Sequence, residues 1–179
     1  PLGWLANRFR WSRFALLTAA SVLYAIPSLP LLIMLPLVLG TTVRDRLNVI
    51  VALTFYGLAL MVRAAADALD AVPADAVFSA TALGYSPARR FLQVELPLAG
   101  PALLAGLRVV TVSTVALTTV SAVLGIDNLG TLFTAGFQRG ILEEVFAGIV
   151  VTMLLAITID LALVLVGRGL MPWTRRAAS

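Results

Sequence analysis

Four stretches of this chain are almost continuously apolar: residues 14–39, 47–62, 98–124 and 145–166. Each approaches the roughly 20 residues that a helix needs to cross about 30 Å of hydrocarbon, so the pattern predicts four transmembrane helices. Residues 67–96, between the second and third stretches, read differently, as short pieces separated by turn formers. Pro73 suits a first helical turn, and Asp75 close behind it complements the positive end of the helix dipole. Gly84 ends that helix, because glycine enters the left-handed conformation without a side-chain penalty. Ser86 and Pro87 form an N-cap and first-turn pair for a second short helix carrying Arg89 and Arg90. Pro97 is expected to end that helix and start the third span. The predicted unit, residues 73–97, is helix, tight turn, helix, held between two membrane anchors.

Within the spans, the polar exceptions carry the information. Pro27, Pro30 and Pro36 each remove a backbone donor from the first stretch and predict a broken helix, with Pro27 and Ser28 either facing a pore or marking a structural kink. Thr111, Thr114, Thr118 and Ser121 recur at three- and four-residue steps on one face of the third span. Such a stripe either lines water or bonds to a neighbouring helix. Gly148, Thr152, Ala156 and Asp160 form a comparable stripe on the fourth span and read as a helix-packing face. Arg108 lies roughly 15 Å from the cytoplasmic start of its span and Asp160 roughly 12 Å from the cytoplasmic end of its own. Two charges at similar depth in hydrocarbon are expected to pair.

The arginines set the topology. Arg8, Arg10 and Arg13 precede the first span, Arg63, Arg89 and Arg90 follow the second, and Arg168, Arg175 and Arg176 follow the fourth. The positive-inside rule places these three segments in the cytoplasm. The opposite loops hold Arg44, Asp45 and Arg46 in one case and Asp127, Arg139, Glu143 and Glu144 in the other, a weaker basic bias.

Composition agrees and excludes several chemistries. The chain is 60% hydrophobic and 12% charged, with a mean hydropathy of +1.00, far from the balance of a soluble domain. Its net charge of +4 comes from arginine alone, and the position of those arginines beside apolar spans favours membrane lipid over nucleic acid as their partner. With neither Cys nor His, thiol nucleophiles, His-based acid/base pairs and Cys/His metal sites are excluded. No glycine-rich phosphate loop ending in Lys-Ser or Lys-Thr is present, so the chain carries no motif of that kind for ATP hydrolysis. The expectation is an all-α polytopic membrane protein of one domain, residues 1–179, with no catalytic, cofactor or metal site. The opening Pro1-Leu2-Gly3-Trp4-Leu5-Ala6 reads as the end of an earlier span in an N-terminally truncated sequence. The residues alone leave the 73–97 unit open as a hairpin lying on lipid headgroups, a non-transporting scaffold's contact, or a docking element. A DNA-reading helix-turn-helix is disfavoured by the anchors on both sides.

The spacing in that unit carries a resemblance. Gly84 is preceded, across three residues, by Phe78-Ser79-Ala80 and followed, after nine, by Val94-Glu95-Leu96-Pro97. This resembles the Glu-Ala-Ala, Gly, Ile-x-Leu-Pro signature of permease subunits of type I ABC importers. Ala80 matches the second Ala, Ser79 replaces the first, and Phe78 occupies the position of the Glu. Ile26-Pro27-Ser28-Leu29, Pro1-Leu2-Gly3, Glu95-Leu96-Pro97-Leu98 and the 125–130 segment look like the branch that imports osmoprotectants such as glycine betaine, choline, carnitine or proline betaine. The resemblance implies that Phe78, Ser79, Ala80, Gly84, Tyr85, Arg89, Arg90, Glu95 and Pro97 couple to a separate ATPase subunit, which binds ATP and Mg. It also implies a second permease copy or paralogue, an extracytoplasmic substrate-binding protein meeting the outer mouth over residues 125–140, and a bacterial inner-membrane location. An amino acid cargo such as methionine is the alternative within the same fold.

Overall fold

The computed structural model describes residues 10–175. The opening Pro1–Ala6 segment, Arg8 and Arg176 lie outside the described residues, as do the side chains of Arg10, Arg13 and Arg175. All regular structure among the described residues is helical.

Helix α1 (Arg10–Ala25) and helix α2 (Ser28–Leu39) come from the first apolar stretch and meet at 99°. Pro27 stands in extended conformation at the N-cap of α2. Pro30 has no N–H for the carbonyl of Ile26, and the hydroxyl of Tyr56 donates to that carbonyl instead. The predicted break is present, and its angle makes this stretch a span only if both limbs are counted together. Three further helices are long and apolar enough to cross a membrane, giving three spans, or four with the bent pair.

Gly40 ends α2 in the left-handed region, and a polar knot then turns the chain. Asn48, 1% exposed, accepts from the Thr41 hydroxyl at 2.6 Å and donates to the Thr42 carbonyl at 2.8 Å. Asp45 caps helix α3 (Arg46–Asp70) by accepting from the Leu47 N–H at 2.9 Å. Leu32, Leu35, Val49, Ala52 and Ile126 close an apolar cluster beneath this knot. Helix α3 runs beyond the predicted residue 62, because Ala64-Ala65-Ala66 and Ala68-Leu69 are strong helix formers. Arg63 on it donates to the Ser21 hydroxyl of α1 at 2.8 Å.

Helix α4 (Ala74–Ala82) and helix α5 (Pro87–Arg90) follow. A π-helical turn, Phe91–Glu95, joins α5 to helix α6 (Leu96–Val120), and a 3-10 turn, Ser121–Leu124, completes it. The predicted stop at Pro97 does not occur. Pro97 has no N–H for the carbonyl of Gln93, but the widened turn ahead of it, closed by Leu96 N–H on the Phe91 carbonyl, makes room for its ring. One helical rod therefore runs from Pro87 to Leu124, 38 residues.

Helix α7 (Thr131–Arg139) packs on helix α8 (Leu142–Leu170), and α6 lies between α3 and α8. Small residues permit the close crossings expected of helices in lipid. A Cβ at Gly106 of α6 would stand 2.6 Å from the Ala64 Cβ of α3, and one at Gly167 of α8 would overlap Leu104 of α6.

Candidate coupling segment and intramembrane site

The 73–97 segment folds around Gly84. Its φ is +79°, and two backbone bonds lock the turn: Tyr85 N–H to the Ala80 carbonyl at 3.1 Å and Gly84 N–H to the Thr81 carbonyl at 3.0 Å. That pattern is the Schellman end of a helix, which satisfies the Ala80 and Thr81 carbonyls and needs the left-handed residue that glycine supplies. Ser86 caps α5, accepting from the Arg89 N–H at 3.4 Å, with Pro87 in its first turn.

Side chains tie the two helices together. The Arg90 guanidinium donates to Glu95 Oε1 at 2.7 Å and to Thr81 Oγ1 at 3.0 Å, joining α4 to the π turn. Arg89 lies 4.7 Å over the ring of Tyr85 and donates to Gln93 Oε1 at 2.9 Å. Both arginines are therefore engaged within the segment. Two large apolar side chains stand out from it, Phe78 73% and Leu83 77% exposed, whereas Ala80 is buried against the rest of the fold. Ser79 is exposed and Pro97 half-buried. Nothing lies within 4 Å of where a Cβ on Gly84 would be.

Inside the helical body, Arg108 and Asp160 form a two-point ion pair, Nε to Oδ1 at 2.6 Å and Nη2 to Oδ2 at 2.7 Å. The fork geometry joins α6 to α8 and satisfies both carboxylate oxygens. The pair expected from depth alone is present. It also remains open to its surroundings, with the Arg108 side chain 40% and Asp160 25% exposed.

The hydroxyls of the stripe donate first to their own helix. Thr111, Thr114 and Thr118 donate to the carbonyls of Leu107, Val110 and Thr114 on their own helix, at 2.7–2.8 Å. Ser121 donates to the Thr118 carbonyl and accepts from Asn128 Nδ2 at 2.9 Å. These hydroxyls bond along α6, with Ser121 alone reaching the outer loop. On α8, Gly148 packs on Leu132 and Phe133 of α7, and Thr152 and Ala156 line a groove against Val112 and Thr119 of α6. The stripe from Gly148 to Asp160 thus faces neighbouring helices throughout. Pro27 is exposed beside the bend and Ser28 half-buried.

Two features escaped sequence reading. Helix α7 occupies the segment expected as an outer loop; the bracketing Gly130 and Gly140, with Asn128 accepting from the Gly130 N–H at 2.7 Å, were its signal. Ser113 lines a groove with Arg108 and Asp160 and falls outside the threonine spacing.

A model of the family described as "Binding-protein-dependent transport system inner membrane component" matches residues 1–175. The chain belongs to this family. Relatives agree across nearly its whole length. The osmoprotectant import permease protein OsmW of Salmonella typhimurium is 32% identical over 164 residues, covering 89% of this chain and 75% of that protein. The choline transport system permease protein OpuBB of Bacillus subtilis is 29% identical over 172 residues, covering 96% of this chain and 78% of that one. Among solved structures, an inward-facing form of the MetNI methionine ABC transporter superposes with a TM-score of 0.78 at 22% identity, over 94% of this chain and 84% of that chain, which is a likeness of fold. The permease is a multi-pass protein of the bacterial inner membrane, and its family works with an ATPase and a solute-binding protein.

Proposed function

We propose that the permease admits an osmoprotectant, of the class glycine betaine, choline, carnitine or proline betaine, and that the α4–Gly84–α5 unit is where an ATPase subunit seizes it. The observation that carries the coupling reading is the turn itself: a locked left-handed glycine with open space over it, flanked by exposed Phe78 and Leu83. A backbone without a side chain allows close approach, and a rim of apolar residues gives an area-driven contact in place of a salt bridge. The cargo reading is supported by what OsmW and OpuBB are named for.

ATP and Mg are held by the ATPase, and the motion they drive enters this chain at Gly84. Because α5 continues through the π turn into α6, displacement of the docked unit is displacement of a membrane-spanning helix. Two copies of the permease, or the permease with a paralogue, enclose the path, and the solute-binding protein delivers at the α7 end. The test is ATP-driven uptake in proteoliposomes containing permease, ATPase and binding protein. Accumulation of labelled glycine betaine or choline is expected. Uptake of methionine with neither of these refutes the cargo.

A further inference from the structure

Helix α6 has two uncovered faces, and they differ. At about 100° per residue, Ala105, Val109 and Val112 lie on the side opposite Thr111, Thr114 and Thr118. The threonine side is neutral, and its hydroxyls are spent on their own helix. The other side is a groove of about 480 Å³ lined by Ala105, Arg108, Val109, Val112, Ser113 and Asp160, within the roughly 300–1,000 Å³ of small-molecule sites. It holds the partly exposed ion pair. Among the described residues, neither Arg108 Nη1 nor the Ser113 hydroxyl has a hydrogen-bond partner. Lipid does not satisfy such groups, and intramembrane charges of this kind face a bundle interior or a water-filled cavity.

We infer that the Arg108–Ser113–Asp160 groove faces the solute path in the assembled transporter and holds the carboxylate end of a passing zwitterion. Arg108 Nη1 and the Ser113 hydroxyl are the donors left for a carboxylate, while Asp160, with both oxygens on Arg108, fixes the guanidinium. Val109 and Val112 supply apolar wall for the methyl groups of the zwitterion. This inference rests on the osmoprotectant reading for the identity of the zwitterion. The water-facing geometry does not depend on it.

The chain has no cysteine, so Ser113→Cys is a unique thiol on an otherwise unreactive permease. The assembled transporter in proteoliposomes is treated with a sulfonate-bearing and a trimethylammonium-bearing methanethiosulfonate, and labelling of the permease is followed by mass. Leu154→Cys, on an exposed apolar position of α8, serves as the lipid-side reference. Expected is labelling at Ser113→Cys at least tenfold faster than at Leu154→Cys, with the sulfonate reagent preferred and Arg108→Gln removing that preference. Glycine betaine is expected to slow the reaction more than choline, which lacks the carboxylate. Labelling as slow as at Leu154→Cys puts the groove against lipid or a subunit interface and overturns the inference. So does rapid labelling with no charge preference, or with equal protection by both solutes. If Ser113→Cys does not assemble, Ala105→Cys in the same groove reads the same contrast. A wild-type transporter that accumulates no osmoprotectant refutes the cargo while the charge preference of labelling still decides the groove.

Discussion

Gly84 separates two demands that a coupling element makes, conformation and access. With φ at +79° and no atom within 4 Å of the place a Cβ would take, replacement costs backbone strain alone. An ordinary L-residue in this region costs about 1–2 kcal/mol, a factor of roughly 5–30 in the population of the turn. The two turn bonds and the Arg90 bridge resist that loss, so Gly84→Ala is expected to insert normally and to melt a few degrees lower in detergent, at about 2–4 °C per kcal/mol. Asn tolerates the left-handed region, so Gly84→Asn restores the melting temperature yet places a side chain in the space over the turn. If an ATPase occupies that space, Gly84→Asn and Gly84→Asp both lose ATPase co-purification and at least tenfold of uptake, despite a wild-type melt for Asn. Wild-type uptake and co-purification by Gly84→Asn would show that only the turn's shape matters and would refute docking over Gly84.

Tyr56→Phe strands the Ile26 carbonyl at the α1–α2 bend and should cost about 1–3 kcal/mol, read as a lowered melt in detergent; an unchanged melt means that water serves the carbonyl. Gly106→Ala forces its new carbon against Ala64 and should destabilise by about 1–3 kcal/mol, with Ala64→Gly restoring stability in the double variant. Failure of that rescue removes the α3–α6 crossing as the cause. Arg90→Ala unties α4 from the π turn while changing stability by less than about 1 kcal/mol, since the Arg90–Glu95 pair is partly exposed. ATPase turnover in the reconstituted transporter should persist as uptake falls, and parallel loss of both would assign Arg90 to ATPase binding instead.

Local chemistry was legible in the sequence wherever one residue dictates one conformation. Gly84 as a left-handed terminator, Ser86 as a cap and the proline break after Ile26 are of this kind, and the Arg108–Asp160 pair followed from depth because hydrocarbon offers a charge few partners. The bend of 99° did not follow, since an angle depends on the partner that receives the freed carbonyl, here Tyr56 thirty residues away. Pro97 misled because its missing N–H stops an ordinary helix, and only the widened turn from Phe91 to Glu95 absorbs it. Arg90 read as a lipid or partner contact, while its bonds to Thr81 and Glu95 required the folded turn. Ser113 was invisible because its interest lies in the groove that it shares with Arg108 and Asp160, which only the packing of α6 on α8 creates.

The rod from Pro87 to Leu124 meets α3 closely at Gly106, about 28 Å from one end and about 27 Å from the other at 1.5 Å per residue. A beam pivoted at its midpoint repeats at one tip, with the opposite sense and the same amplitude, whatever is done to the other. A pull of a few ångströms beside Gly84 would therefore reappear inverted beneath Asn128. Cytoplasmic and outer mouths served by such a beam cannot widen together, and strict alternation between them would follow from where one glycine sits along one helix.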